Sequence, residues 1–70
     1  MKTAKFELDG EFIKLDSLLK LTGLVSTGGQ AKVFIQNGEV SVNDEKCLMR
    51  GKKIRKGDNI RLFDDKIEVV

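Results

Sequence analysis

The chain has 70 residues, of which 40% are hydrophobic and 34% are charged, and its formal net charge is +2. This composition is typical of a globular domain and excludes a disordered tail, and the length leaves room for one domain only. No apolar run approaches the roughly 20 residues that a membrane-spanning helix needs.

The N-terminal segment KFELDGEFIK, residues 5–14, predicts a β-hairpin. Apolar and polar residues alternate on both sides of Asp9-Gly10, and this pair favours the two-residue type I′ turn that joins antiparallel strands. Two paired strands are therefore expected before the first helix.

The segment LDSLLKLTG, residues 15–23, predicts the first helix, because its leucines recur every three to four residues along one face. Asp16 is expected to cap the N-terminus with its carboxylate. Gly23 is expected to end the helix, since glycine readily adopts the left-handed conformation found at that position.

The segment TGGQAKVFIQ, residues 27–36, predicts the second helix. Thr27 and Gln30 have the spacing of a capping box, in which both side chains accept hydrogen bonds from unpaired backbone N–H groups. Asn37-Gly38 is expected to stop the helix. The apolar residues at helical spacing that should face the core are Ala31, Phe34 and Ile35.

After the second helix the apolar period changes to two, which predicts strands. EVSVN (39–43) should place Val40 and Val42 inward, and NIRLF (59–63) and KIEVV (66–70) are expected to be further strands. Turns are predicted at Asn43-Asp44, Lys56-Gly57-Asp58 and Asp64-Asp65. The expected fold class is α+β, with an N-terminal β-hairpin and two short helices packed on a small antiparallel sheet.

A basic segment follows the strand predicted at residues 39–43. Its sequence is KCLMRGKKIRKGDNIR, residues 46–61, and it extends into the strand predicted at residues 59–63. It has seven basic residues and one acidic residue, so it carries +6 while the other 54 residues sum to −4. This asymmetry indicates a surface that faces a polyanion. The alternative is a solvated, lysine-rich loop.

Four short motifs in a fixed order resemble the S-four RNA-binding domain, a family named for a small-subunit ribosomal protein. They are Lys14-Leu15-Asp16, Ala31-Lys32, Gly38-Glu39-Val40-Ser41-Val42-Asn43 and Gly57-Asp58-Asn59-Ile60. The resemblance covers about residues 13–62, and the chain length is most similar to that of the small stand-alone YaaA/YbcJ-type members. It implies an alpha-L RNA-binding motif and a single RNA-binding domain over residues 1–70.

The resemblance and the charge pattern together indicate the residues that contact RNA. The first turn of a helix attracts phosphate, and Gly28-Gly29 would let a phosphate oxygen approach the backbone without a Cβ in the way. The alternative is a glycine-rich turn whose donors bind water and Thr27. Many family members have arginine where this chain has Gly28, so one usual RNA-contacting side chain is missing. The predicted RNA-binding residues are Lys14, Gly28, Gly29, Lys32, Arg50, Lys52, Lys53, Arg55 and Lys56.

The aromatic residues bear on which RNA is bound. Tyrosine and tryptophan are absent, and the four phenylalanines are interpreted mostly as core residues. Stacking of bases on aromatic side chains is therefore not expected to dominate, which favours recognition of duplex or junction shape over single-strand sequence.

The composition argues against an enzyme. Histidine, the commonest general base near neutral pH, is absent, and the single cysteine, Cys47, has no histidine to activate it. No disulfide, metal site, cofactor or small-molecule substrate is expected. The segment MKTAKFELDG lacks the apolar core of a secretory signal, so a cytoplasmic location is expected.

The function predicted from the sequence is that of a monomeric, non-catalytic protein that clamps phosphates of structured RNA, either ribosomal RNA or a ribosome precursor. Two alternatives remain open. The domain could be an adaptor whose basic loop meets an acidic protein, or an accessory protein that binds DNA.

Overall fold

The computed structural model describes residues 2–70. Its helices stand beside a mixed sheet, which confirms the predicted α+β class. The elements in chain order are β1 (Lys2–Phe6), β2 (Ile13–Lys14), α1 (Leu15–Leu21), α2 (Gly28–Gln36), β3 (Val40–Val42), β4 (Glu45–Lys46), β5 (Lys53–Ile54), β6 (Asn59–Leu62) and β7 (Asp65–Val69).

The strands within residues 2–70 form two sheets. The larger sheet has five strands in the order β1-β7-β6-β3-β4. Its strands pair in an antiparallel manner except β1, which runs parallel to β7. The smaller sheet is the antiparallel pair of β2 and β5. The sequence predicted one small antiparallel sheet, whereas the main sheet in the structure has five strands and includes one parallel pair.

The predicted N-terminal β-hairpin is wrong. Strands do lie on both sides of Asp9-Gly10, but β1 pairs with β7 over five residues and β2 pairs with β5. Gly10 has a φ of +107° while Asp9 does not have a positive φ, whereas a type I′ turn requires positive φ at both central residues. The five-residue pairing with β7 gives β1 a longer ladder than the two-residue β2 could give it. It also brings Leu8, the next apolar residue after β1, into the core.

The predicted capping of α1 by Asp16 is also wrong. Asp16 lies inside the first turn, where its carboxylate accepts a hydrogen bond from the N–H of Ser17 at 2.8 Å. The first backbone donors of α1 are satisfied by another segment of the backbone. The N–H of Leu15 donates to the carbonyl of Lys52 at 2.9 Å, and that of Asp16 donates to the carbonyl of Arg50 at 3.1 Å. A side-chain cap is therefore not needed.

The other predicted helix boundaries are confirmed. Gly23 and Gly38 follow the two helices with φ of +81° and +78°, the left-handed conformation that glycine permits. At the start of α2 the hydroxyl of Thr27 accepts from the N–H of Gln30 at 3.1 Å. The side chain of Gln30 accepts from the N–H of Ser26 at 2.7 Å, so the capping box forms with its second bond shifted by one residue.

Two tight turns connect the strands of the larger sheet. Asn43 and Asp44 join β3 to β4 with φ of +52° and +68°, which confirms the predicted turn and gives it the positive φ pair of type I′. The turn between β6 and β7 is formed by Phe63 and Asp64, one residue earlier than predicted.

Both helices and most strands contribute to one core. The inward positions predicted for the second helix and for β3 are confirmed, with Phe34 half-buried at the margin. The interpretation of the phenylalanines as core residues fails for Phe12 and Phe63, which are 40% and 58% exposed. Phe12 precedes the short outer strand β2, and Phe63 lies in the turn between β6 and β7. The buried core residues are Leu8, Leu15, Leu18, Leu19, Val25, Ala31, Ile35, Val40, Val42, Ile54, Ile60, Leu62, Ile67 and Val69.

Candidate nucleic-acid interface

The basic loop, residues 50–56, is anchored to the start of α1 by the β2–β5 pair. This pair places Ile13 opposite Ile54 and Lys14 opposite Lys53. Ile54 is fully buried and Ile13 packs against the core. Because side chains alternate across a strand, the two lysines lie on the opposite face, and both are exposed. The buried Ile54 and the partly buried Ile13 thus fix the backbone positions of two neighbouring lysines.

Further hydrogen bonds hold the backbone of the basic loop. The carbonyl groups of Arg50 and Lys52 accept from the first turn of α1, and the N–H of Lys52 donates to the carbonyl of Met49 at 3.2 Å. The N–H of Arg55 donates to the carboxylate of Asp58 at 2.8 Å. These bonds use backbone atoms of the basic residues and leave their cationic groups available. The exposed basic side chains of the loop are Arg50, Lys52, Lys53, Arg55 and Lys56.

A side-chain network connects the end of the basic loop to the turn between β3 and β4. The amide of Asn43 donates to the carboxylate of Asp58 at 3.0 Å, and its oxygen accepts from the N–H of Asn59 at 2.9 Å. The second carboxylate oxygen of Asp58 holds the N–H of Arg55. The asparagine and aspartate of the motifs noted in the sequence therefore have a structural role here.

The β2–β5 pair places two like charges opposite each other. Like charges directly opposite each other disfavour a strand pair, and Lys14 and Lys53 are such a pair. A phosphate beside both ammonium groups would remove that repulsion. The local excess of positive charge also attracts polyanions over a longer range.

Phe12 belongs to the same surface, and the sequence-based prediction missed it. The ammonium nitrogen of Lys53 lies 5.0 Å from the centroid of the Phe12 ring, within the range of a cation–π contact. The signal that could have found Phe12 is its position two residues before Lys14, since both then share a face while Ile13 points to the core.

The first turn of α2 is the second predicted contact region. Gly28 and Gly29 are exposed, and neither has a positive φ. A Cβ at Gly28 would meet no atom within 4 Å, and one at Gly29 would meet only the hydroxyl of Thr27 at 3.7 Å. Neither backbone conformation nor packing therefore requires glycine at these two positions. Lys32 is exposed one turn further along the same helix.

The structure brings some of the predicted site residues together and leaves others apart. Lys14 is joined to the basic loop by strand pairing and by the hydrogen bonds at the start of α1. Among residues 2–70, no hydrogen bond connects Gly28, Gly29 or Lys32 to that loop. The two regions are related through the packing of α1 on α2.

The remaining chemistry of this part of the chain is limited. Cys47 is half-buried, and its thiol lies 3.5 Å from the carbonyl oxygen of Met49. Within residues 2–70 no group of three or more cysteine, aspartate or glutamate side chains is placed to hold a metal ion. Over the same residues neither helix has the length and apolar character needed to cross a membrane.

Comparison with known proteins identifies the family. The sequence model of the S4 domain matches residues 6–70. The chain is also 42% identical over 55 residues to a Bacillus subtilis (strain 168) protein named "Probable ribosome maturation protein RlbA". The aligned region covers 79% of this chain and 78% of that relative. This chain therefore belongs to the S4 domain family, the S-four family that its motifs resemble.

Proposed function

We propose that this chain is a non-catalytic RNA-binding protein that holds backbone phosphates of a structured RNA, and that this RNA is ribosomal RNA or a ribosome precursor. The S4 domain supports an RNA-binding role. The name of the Bacillus subtilis relative supports a role connected with ribosome maturation.

The observation that carries the proposal is the pair Lys14 and Lys53. Strand pairing beside the buried Ile54 and the partly buried Ile13 holds the two lysines opposite each other, next to the exposed cations of the basic loop. Phosphate contacts from lysine and arginine supply most sequence-independent affinity for nucleic acid. Because the backbone of the loop is already held by hydrogen bonds, binding loses less conformational entropy there.

The first turn of α2 adds a second phosphate contact in this proposal. Backbone N–H groups at a helix N-terminus attract anions, and glycine at positions 28 and 29 leaves them uncovered. Lys32 would contact the same stretch of RNA backbone. The two regions are connected through α1, which contacts both β2 and α2. One folded RNA would contact both regions in this proposal.

The proposal includes no reaction, cofactor or metal, because the exposed groups supply charge and hydrogen bonds and the chain contains no histidine. The whole chain would act as one RNA-binding module, as a cytoplasmic monomer without a small-molecule substrate. Shape and phosphate recognition suit a duplex or a junction.

Binding experiments with three polyanions test the proposal against its two alternatives. A structured RNA, a DNA of the same sequence and polyglutamate would be titrated with the protein between about 50 and 200 mM salt. If the protein binds four to six phosphates, the logarithm of the association constant should fall against the logarithm of salt concentration with a slope of about −3 to −5 for RNA. A flat salt dependence, or tighter binding to polyglutamate or DNA than to RNA, would contradict the proposal.

A further inference from the structure

The surface beside the basic loop combines an aromatic ring with two cations. Phe12 immediately precedes β2, two residues before Lys14, and the contact of its ring with Lys53 places it on the same face of the strand pair as the two lysines. Lys53 lies opposite Lys14 on that face, diagonal to Phe12, which explains why its ammonium group reaches the ring at 5.0 Å. Phe12 is 40% exposed although the adjacent Ile13 packs against the core.

We propose that Phe12 is a stacking site for one unpaired RNA base, and that Lys14 and Lys53 hold the phosphates flanking that base. The RNA bound is then a duplex or junction that presents a bulged or otherwise unstacked nucleotide. This inference rests on the proposed RNA-binding function and adds a base contact to the phosphate contacts.

In the proposed RNA complex the ammonium group of Lys53 leaves the Phe12 ring and binds a phosphate. In the protein without RNA its ammonium group lies over the ring of Phe12. A cation–π contact at an exposed site contributes only about two- to fivefold to an equilibrium constant, so a nearby phosphate readily attracts the ammonium group away. The ring is then open to a base, and a base stacked on an aromatic side chain contributes about 5- to 150-fold. The exchange therefore favours the RNA complex.

The position of Phe12 is fixed before RNA binds. Strand pairing of β2 with β5 and the buried Ile54 hold the backbone next to the ring. A phenylalanine side chain has only two rotatable bonds, so little entropy is lost when a base stacks on it. Stacking is tolerant of base identity, because every base has a π-face. The site should thus distinguish unpaired from paired nucleotides more than it distinguishes one base from another.

Two RNA hairpins with the same stem test this inference, one fully paired and one with a single bulged 2-aminopurine. The wild-type protein should bind the bulged hairpin about 5- to 150-fold more tightly and change the fluorescence of the 2-aminopurine through stacking. Phe12→Leu should lose this preference. Its affinity for the paired hairpin should rise by no more than about two- to fivefold, because Lys53 no longer has to leave the ring, and its salt slope should match that of the wild type. Phe12→Tyr keeps an aromatic ring and should keep the preference.

The matched control is Phe63→Leu, because Phe63 is also an exposed phenylalanine but lies in the turn between β6 and β7, where its ring contacts Phe34. This variant should keep the preference for the bulged hairpin. If Phe12→Leu retains the full preference, or if the wild type binds both hairpins equally, the stacking site is wrong while the proposed function stands. Salt-independent binding, or no binding to either hairpin, would overturn both.

Discussion

The side-chain amide of Asn43 donates a hydrogen bond to the carboxylate of Asp58 at 3.0 Å, which joins the turn between β3 and β4 to the end of the basic loop. The same carboxylate accepts the N–H of Arg55 at 2.8 Å. Two residues that belong to separate motifs in the sequence thus meet in one network. Their side chains connect this turn to the backbone at the end of the basic loop.

Replacing Asn43 should therefore lower stability. Asn43→Ala removes the bonds to Asp58 and to the N–H of Asn59, and it places an alanine at a φ of +52°. The bonds are solvent-exposed and should contribute about 1 kcal/mol each, and the left-handed conformation costs alanine about 1–2 kcal/mol. We expect a loss of roughly 3–4 kcal/mol in the free energy of unfolding, measured by urea denaturation.

Asn43→Gly separates the two contributions, because glycine tolerates the positive φ but makes no side-chain bonds. Its free energy of unfolding should lie between those of the wild type and the alanine variant. If alanine and glycine destabilise equally, the backbone conformation contributes nothing. If neither variant is less stable than the wild type, the network does not hold the loop.

The glycine at the start of α2 gives a second prediction, in which stability and binding change in opposite directions. The space around Gly28 is open and its φ is ordinary, so Gly28→Ala should raise stability by up to about 1 kcal/mol through helix propensity. RNA affinity should fall, since the methyl group would crowd a phosphate placed against the first backbone N–H groups. Thermal unfolding and RNA titration measure the two effects on the same sample.

Gly28→Arg is the companion variant, because many family members carry arginine there. The positive charge opposes the helix dipole, so its stability gain should be smaller than that of alanine. Its RNA affinity should exceed that of the alanine variant, since the long side chain can reach a phosphate itself. RNA affinity equal to wild type in both variants would show that the glycines do not touch RNA.

The charges of the basic loop give a third prediction. In the double variant Lys52→Gln/Arg55→Gln two exposed cations are removed while the backbone hydrogen bonds of both residues remain. RNA affinity should fall for all sequences, and the salt slope should become shallower by about 2, since each cation that no longer binds a phosphate reduces the slope by roughly 1. The free energy of unfolding should change by less than about 0.5 kcal/mol, as is usual for surface residues.

Lys5→Gln/Lys20→Gln is the charge-matched control for this variant. Lys5 on β1 and Lys20 on α1 are also exposed, and they lie outside the basic loop. The control should keep the wild-type salt slope. An equal change of slope in both double variants would mean that binding depends on net charge alone and not on the loop.

The helices could be predicted from the sequence because their signals are local. The leucine spacing of α1, the pair Thr27 and Gln30, and the glycines that end both helices each act within a few residues. The partner of β1 could not be predicted in this way, since it is β7 at the other end of the chain. Strands β2 and β5 have two residues each, too few to show an alternating pattern.

The candidate site was predictable to a similar extent. The charge of the basic loop is visible in the composition, and the resemblance to the family indicated Lys14. The pairing of Lys14 with Lys53 could not be predicted, because the two residues belong to strands far apart in the sequence. Phe12 was missed because its spacing of two residues from Lys14 assigns it to the surface only when Ile13, between them, is known to pack against the core.

Crosslinking in cells tests most directly whether the basic surface binds ribosomal RNA. The protein would be crosslinked to RNA by ultraviolet light and purified, and the bound fragments would be sequenced and normalised to total cellular RNA. We expect fragments concentrated in one structured region of ribosomal RNA or its precursor, strongly reduced for Lys52→Gln/Arg55→Gln and unchanged for Lys5→Gln/Lys20→Gln. Fragments that follow the abundance of all cellular RNAs, with the same recovery for both double variants, would contradict the proposed function.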